Sequence, residues 1–349
     1  MNFKSYIFGI CAFVFFLTGC SEEDNHSKGD FQTGVFILNE GNFSKANGSI
    51  SFLNLATAEV TPDIFGRVNN NRALGDVVQS MTIDGDKSYI VVNNSNKIEV
   101  VNANTFESLA VIDLSLPRNF MVHNGKGYAT EWVSFIEPGR VSVIDLNDYS
   151  ITTTIPAGFG ADKMIAVDNH LFVSNNLSNT VSVIDFITEE VIETIEVGNS
   201  PAAFVKDKNG KLWVICSGGY NENFEPLNDG KLVQLDPVNF SVMKSIETSS
   251  QISSQLLIDN AGEHLLFSIS NGIYKVNIGD TAVPDEPYIF EENASGFYGI
   301  AIDPVTEWIY ASDALSFSAN GKVYRYNEAG EKVDVTSAGI GPNNFVFKY

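Results

Sequence analysis

The residues best suited to chemistry lie in four stretches that mix aromatic rings with amides, serines and glycines. These are Asn39–Gly48 (NEGNFSKANG), Glu131–Gly139 (EWVSFIEPG), Ser217–Gly230 (SGGYNENFEPLNDG) and Ser312–Gly321 (SDALSFSANG). They carry Asn42, Phe43, Trp132, Phe135, Tyr220, Phe224 and Phe317. Flat rings among hydrogen-bonding groups suit a large, partly apolar ligand with many polar substituents, such as a glycan, a tetrapyrrole or an oligopeptide. The plainer use of such rings is to pin long loops onto the structure beneath them. Covalent and acid–base chemistry has less to work with. The chain has four histidines and three cysteines, and no Ser/His/Asp or Cys/His set gathers near the rings. Zinc-type ligand spacing, a D-x-[DN]-x-[DN]-G calcium loop and a phosphate-cradling glycine loop are all missing from the sequence.

Short β-strand patterns surround these stretches. The strand VSVID at Val181–Asp185 recurs verbatim at Val141–Asp145, with looser copies beginning at Ile50, Ile98, Leu232, Ile273 and Val323. The seven starts are 48, 43, 40, 51, 41 and 50 residues apart, the period of a four-stranded propeller blade. No long run outside the N-terminus has helical periodicity. Residues 172–214 spell out one whole repeat, with three strands joined by hairpins, a Gly198–Pro201 corner and a further strand. They resemble the YVTN-type β-propeller repeat.

The expected fold is therefore all-β: a seven-bladed β-propeller of four-stranded antiparallel blades. Residues 34–65 supply three strands with no first strand before them. Asn344–Tyr349 supplies one strand after a Gly341-Pro342-Asn343 corner. The C-terminal strand should complete the first blade and close the ring, leaving few free sheet edges.

In such a ring the second-to-third-strand loops share a face with the links between blades. All four aromatic loops are of the first kind. The links add Arg118, Asn119, Phe159, Phe297 and Tyr298 to the same mouth. Long loops in a compact fold tend to mark function. His123, His170 and His264 fall near first-to-second-strand turns on the opposite face, so catalysis is not expected. Which of the loop carboxylates Glu40, Glu131, Glu137 and Asp313 faces the mouth is left open by the sequence.

Residues 1–19 read as a secretory leader, with Lys4 ahead of an apolar run too short to span a bilayer. Leu17-Thr18-Gly19-Cys20 matches the bacterial lipobox, which makes Cys20 the lipidation site. Ser21-Glu22-Glu23-Asp24 resembles the Bacteroidetes tag for export to the outer face of the outer membrane. Residues 20–32 then form an acidic tether expected to lack structure, and 33–349 form the propeller. A disulfide within the mature chain is excluded, because Cys216 has no partner left. The formal net charge is −22, which argues against nucleic acid and against direct adsorption to anionic lipid.

The opening GVFILNEGNFSKANGSISFLNL (Gly34–Leu55) resembles a Bacteroidetes family of surface propeller lipoproteins whose BtuG-type members capture cobalamin and cap a TonB-dependent outer-membrane transporter. The resemblance implies a non-enzymatic, lipid-anchored protein of the outer membrane that binds cobalamin or a related corrinoid as cargo, with no catalytic cofactor and no bound metal of its own. The alternatives are a surface propeller for a glycan or partner protein and, by analogy with propeller lactonases and lyases, an enzyme.

Overall fold

The structure is a computed structural model that describes residues 31–221 and 223–349. The leader, Cys20 and most of the tether lie outside the described residues. Seven antiparallel sheets of four strands follow one another around a ring. Each VSVID-like run is the third strand of its blade: Ser49–Asn54, Lys97–Asn102, Arg140–Asp145, Thr180–Asp185, Lys231–Asp236, Gly272–Asn277 and Asn320–Tyr326. The seven-bladed expectation is borne out, with one short helix, Ile64–Val68, between the first and second blades.

Alternation along each strand explains the stacking. In blade I, Phe36, Leu38, Ile50 and Phe52 face Ile90, Val92 and Val101 of blade II. Val35, Ile37 and Leu53 point the other way, onto Tyr310 and Val323 of blade VII. Successive side chains of a strand lie on opposite faces, and a ring of stacked sheets buries both. The core is consequently divided into seven apolar layers, one between each pair of neighbouring blades. Burial fades outward: the third strand Thr180–Asp185 is buried over its four central residues, whereas the fourth strand Glu190–Glu196 is almost wholly exposed.

The ring closes as expected. Pro342–Lys348 is the innermost strand of blade I, antiparallel to Gly34–Asn39 with Phe36 opposite Val346. One residue that the sequence assigned to the tether, Phe31, is fixed on the propeller. Phe31 packs edge-on against Phe52 and Phe106, at 5.1 and 5.8 Å between ring centres, and its N–H donates to the Asn104 carbonyl. An aromatic side chain at the end of a polar run has apolar area to hide, and the layer between blades I and II receives it.

Glu99, in the third strand of blade II, is fully buried. Burial alone would raise its pKa, but hydrogen bonds from Arg72, Lys97 and Ser108 outweigh it and hold the carboxyl below 4.5. A carboxyl with a lowered folded-state pKa stabilises the fold above its unfolded value, and that contribution is lost as pH falls through the folded value. Thermal melts taken downward from pH 4.5 are expected to show this loss. In Glu99→Gln the slope over the same window should flatten.

Candidate functional site

One funnel of about 520 Å3 opens at the axis on the face that carries the aromatic loops. Its floor is made by the first residues of the inner strands, and β-bulges aim them there. In blade II the register skips Gln79, and in blade III it skips Arg118. In blade IV Asp162 and Lys163 together stand opposite one partner residue, as Ala202 and Ala203 do in blade V. The extra residue of a bulge leaves the ladder and re-aims its side chain. Here the bulged side chains Gln79, Arg118, Asp162 and Lys163 line the axis, joined by Gln255, Tyr298 and Asn343 from the other blades.

The floor is a polar network. Arg118 donates to both oxygens of Asp162 at 3.3 and 3.1 Å and to Gln79 Oε1 at 2.8 Å. Its guanidinium lies 4.2 Å from the Trp132 ring centre, a cation–π contact that holds both groups. Glu40 accepts from the Tyr298 hydroxyl at 3.0 Å and from Asn343 Nδ2 at 2.9 Å. Enclosure in the funnel raises the Glu40 pKa, against the lowering effect of those hydrogen bonds and of Arg118 and Lys163. Desolvation acts on Lys163 in the opposite sense and lowers its pKa.

Rings form the rim. Trp132 and Phe135 meet edge to face at 5.5 Å, as do Tyr298 and Phe317 at 5.3 Å. Phe43 and Phe135 are 73% and 70% exposed, so these rings offer apolar area to something outside the chain. Asn42 clips two loops together by donating from Nδ2 to the Phe317 carbonyl at 2.7 Å. The long loops run close over the next link. A Cβ on Gly139 would come 2.8 Å from Ala161 N, and one on Gly321 2.4 Å from Pro342 Cδ. Neither position has room for a side chain.

Of the residues singled out in the sequence, the funnel brings together Asn42, Phe43, Arg118, Trp132, Phe135, Tyr298 and Phe317. Phe297 does not join them. It is buried in the layer between blades VI and VII against Tyr324 and Tyr326, because its neighbour Tyr298 takes the axial direction. Asn119 follows the Arg118 bulge back into the ladder opposite Thr130. Phe159, Tyr220 and Phe224 are exposed but lie outside the funnel lining.

The loop acids divide cleanly. Glu40 faces the funnel, whereas Glu131 and Asp313 are structural. Each ends the second strand of its blade and turns its side chain back to the link entering that blade. Glu131 accepts from Ser115 N at 2.6 Å and Asp313 from Ser295 N at 2.7 Å. Asn39 and Asn175 do the same with Gly339 N and Gly158 N. Glu137 is exposed and does not line the funnel. Sequence reading missed Gln79, Asp162, Lys163, Gln255 and Asn343. The available signal was their position in or just after the links that lead into the inner strands.

None of the described histidines lines the funnel, and among the described residues no group of His, Cys, Asp and Glu is placed to hold a metal ion. Burial pushes the Cys216 thiol up to about 12, so it serves as a small apolar side chain.

Comparison with known proteins gives the fold and a family. No curated protein matches the sequence. Among solved structures, a quinonprotein alcohol dehydrogenase-like protein from Bacteroides thetaiotaomicron superimposes with a TM-score of 0.69 at 14% identity, over 91% of this chain and 78% of that one. A functionally unknown protein from Desulfotomaculum acetoxidans gives 0.68 at 12% identity, over 91% and 99%. A dihydro-heme d1 dehydrogenase gives 0.59 at 10%, over 90% and 75%. At such identities the likeness is one of fold. The family model described as Domain of unknown function (DUF5074) matches residues 33–343, and the chain belongs to that family.

Proposed function

We propose that the funnel captures a corrinoid, cobalamin being the first candidate, and that the protein passes it to a TonB-dependent transporter while held to the outer membrane through lipid on Cys20. The supporting observation is the pairing, in one funnel, of an aromatic rim with side-chain amides from Gln79, Gln255, Asn343 and Asn344. A corrin ring is wide, apolar on its faces and fringed with amides, so both parts of the lining have a counterpart on the ligand. A volume of about 520 Å3 lies within the ordinary range for ligand pockets, about 300–1,000 Å3. A larger ligand would rest its outer part on Phe43 and Phe135. Arg118, Asp162 and Glu40 hold one another or their neighbours by hydrogen bonds. They read as a preformed binding wall, which lowers the entropic cost of association. Tyr220 and Phe224, exposed beyond the funnel on the same face, would be free to meet the transporter.

Isothermal titration of residues 21–349 with cyanocobalamin is the direct test. Saturable heat at one ligand per chain is expected, with Trp132→Ala weakening binding by about tenfold through loss of a ring contact worth about 1–1.5 kcal/mol. Absence of heat at micromolar protein removes the corrinoid. A glycan that binds in an array and is lost in Trp132→Ala would then take its place.

A further inference from the structure

We propose that the funnel floor contains a subsite for one anionic group of the ligand, a carboxylate or a phosphate ester, held by the ammonium of Lys163. The proposal rests on the reading of the funnel as a binding site and adds the charge of what it takes.

Four charged side chains line the funnel: Glu40, Arg118, Asp162 and Lys163. Three are accounted for within the fold. Arg118 and Asp162 form a two-point ion pair, and Glu40 is held by Tyr298 and Asn343. Lys163 is different. Among the described residues no carboxylate oxygen lies within 4.0 Å of its ammonium, and the ammonium has no hydrogen-bond acceptor, although its main chain is fixed on both sides by Ser174 Oγ. The bulge in blade IV has therefore placed at the axis a lysine whose ammonium makes no ion pair among the described residues.

Two further polar atoms on the same wall lack partners. The Trp132 indole N–H is buried without an acceptor, and Asn343, only 6% exposed, has an Oδ1 with no donor. Buried polar atoms in a structural core are nearly always satisfied. The two atoms are covered by the wall itself, so the Lys163 ammonium is the group of this lining that is left for a ligand to reach.

The groups around Lys163 sharpen the argument. Desolvation lowers its pKa and so does Arg118, while Asp162 and Glu40 act in the opposite sense without cancelling them. A bound anion reverses that balance and draws the ammonium form into the site. Affinity for an acid should consequently fall as pH rises through the lowered Lys163 pKa, below the range of an ordinary lysine. The −22 formal charge of the whole chain repels free anions at long range, which favours acids that also bring apolar area to the rim.

Probes that combine a ring with one charge test this without knowledge of the natural ligand. Mandelate, phenyl phosphate and the uncharged mandelamide are titrated into residues 21–349, the wild type and Lys163→Met. At least one acid is expected to bind about 10–100-fold more tightly than mandelamide, the span of a charge-assisted hydrogen bond. Lys163→Met should bring acid and amide to within about twofold. That variant keeps the stem and removes an unpaired charge, so it should melt no lower than wild type, and Lys163→Gln provides a second uncharged form. A preference for mandelate alone assigns a carboxylate, and one for phenyl phosphate alone a phosphate ester. Equal binding of acid and amide, an acid preference that survives Lys163→Met, or no binding of any probe at millimolar concentration overturns the subsite. Cyanocobalamin binding is independent of these outcomes. Its failure beside an intact acid preference removes the corrinoid and leaves the anion site standing.

Discussion

A chain ending at Gly341 is expected not to fold as a monomer. The missing strand, Pro342–Lys348, is the inner strand of blade I, supplied by the far end of the chain, and it alone joins the two ends in one backbone ladder among the described residues. Without it, Gly34–Asn39, every residue of which is buried, becomes a bare apolar edge, the kind of surface that pairs with other chains. Phe345 and Phe347 also leave Tyr310, whose ring centre lies 5.7 and 5.1 Å from theirs. Losing two large apolar contacts at about 1.5–3 kcal/mol each, and a ladder at about 1 kcal/mol per hydrogen bond, approaches the whole stability of a domain, about 5–15 kcal/mol. Far-UV circular dichroism with size exclusion should show aggregate or unfolded chain. A permuted chain that begins with this strand and runs on into Gly34 should recover the monomer. A truncated protein that stays monomeric with an unchanged spectrum would mean that the ring does not depend on its clasp.

Glu131→Ala is the point substitution for which we expect the largest loss of stability. Glu131 is fully buried and receives Arg140 Nε at 2.8 Å, Arg140 Nη2 at 3.0 Å, the Ser142 hydroxyl and the Ser115 N–H. Removing it leaves Arg140 unpaired and a link N–H without an acceptor. A third of the Arg140 side chain is exposed and can be re-solvated, so the cost comes mainly from the Ser115 N–H and the Ser142 hydroxyl left without an acceptor, about 1–3 kcal/mol each, readable as a drop in unfolding free energy by urea titration. The folded fraction should bind any funnel ligand as the wild type does, since Glu131 does not line the funnel. If the variant kept its stability and lost binding, Glu131 would belong to the mouth after all. This outcome separates the two roles that a loop-end acid can have.

The pairing of Glu131 with Arg140 shows why the sequence left that question open. Glu40 and Glu131 occupy equivalent loops, in blades I and III, but only Glu131 ends its strand, as Asn39 does in blade I. An offset of one residue sends one carboxylate inward to a link and the other onto the axis. The rings behaved in the same way. Phe297 and Tyr298 are adjacent in the link before the strand Gly299–Ile302, and the path of that link sends Tyr298 to the funnel and Phe297 into the layer between blades. Trp132 and Phe135 could be placed on the mouth from loop length alone, because a long second-to-third-strand loop has no other face to occupy.

The sequence by itself determined the ring: the repeated VSVID strands, their spacing and the unpaired strands at each end fix seven blades and the closing clasp, since period-2 alternation and turn residues are local properties. It also determined which face carries the aromatic loops. Only the tertiary structure decided the floor of the funnel. Bulges at Gln79, Arg118 and Asp162-Lys163 depend on how each inner strand pairs with its neighbour, and pairing register is set between strands and not along one. The unpaired charge of Lys163 follows from the same cause, because whether an ammonium meets a carboxylate depends on what the other blades bring to the axis.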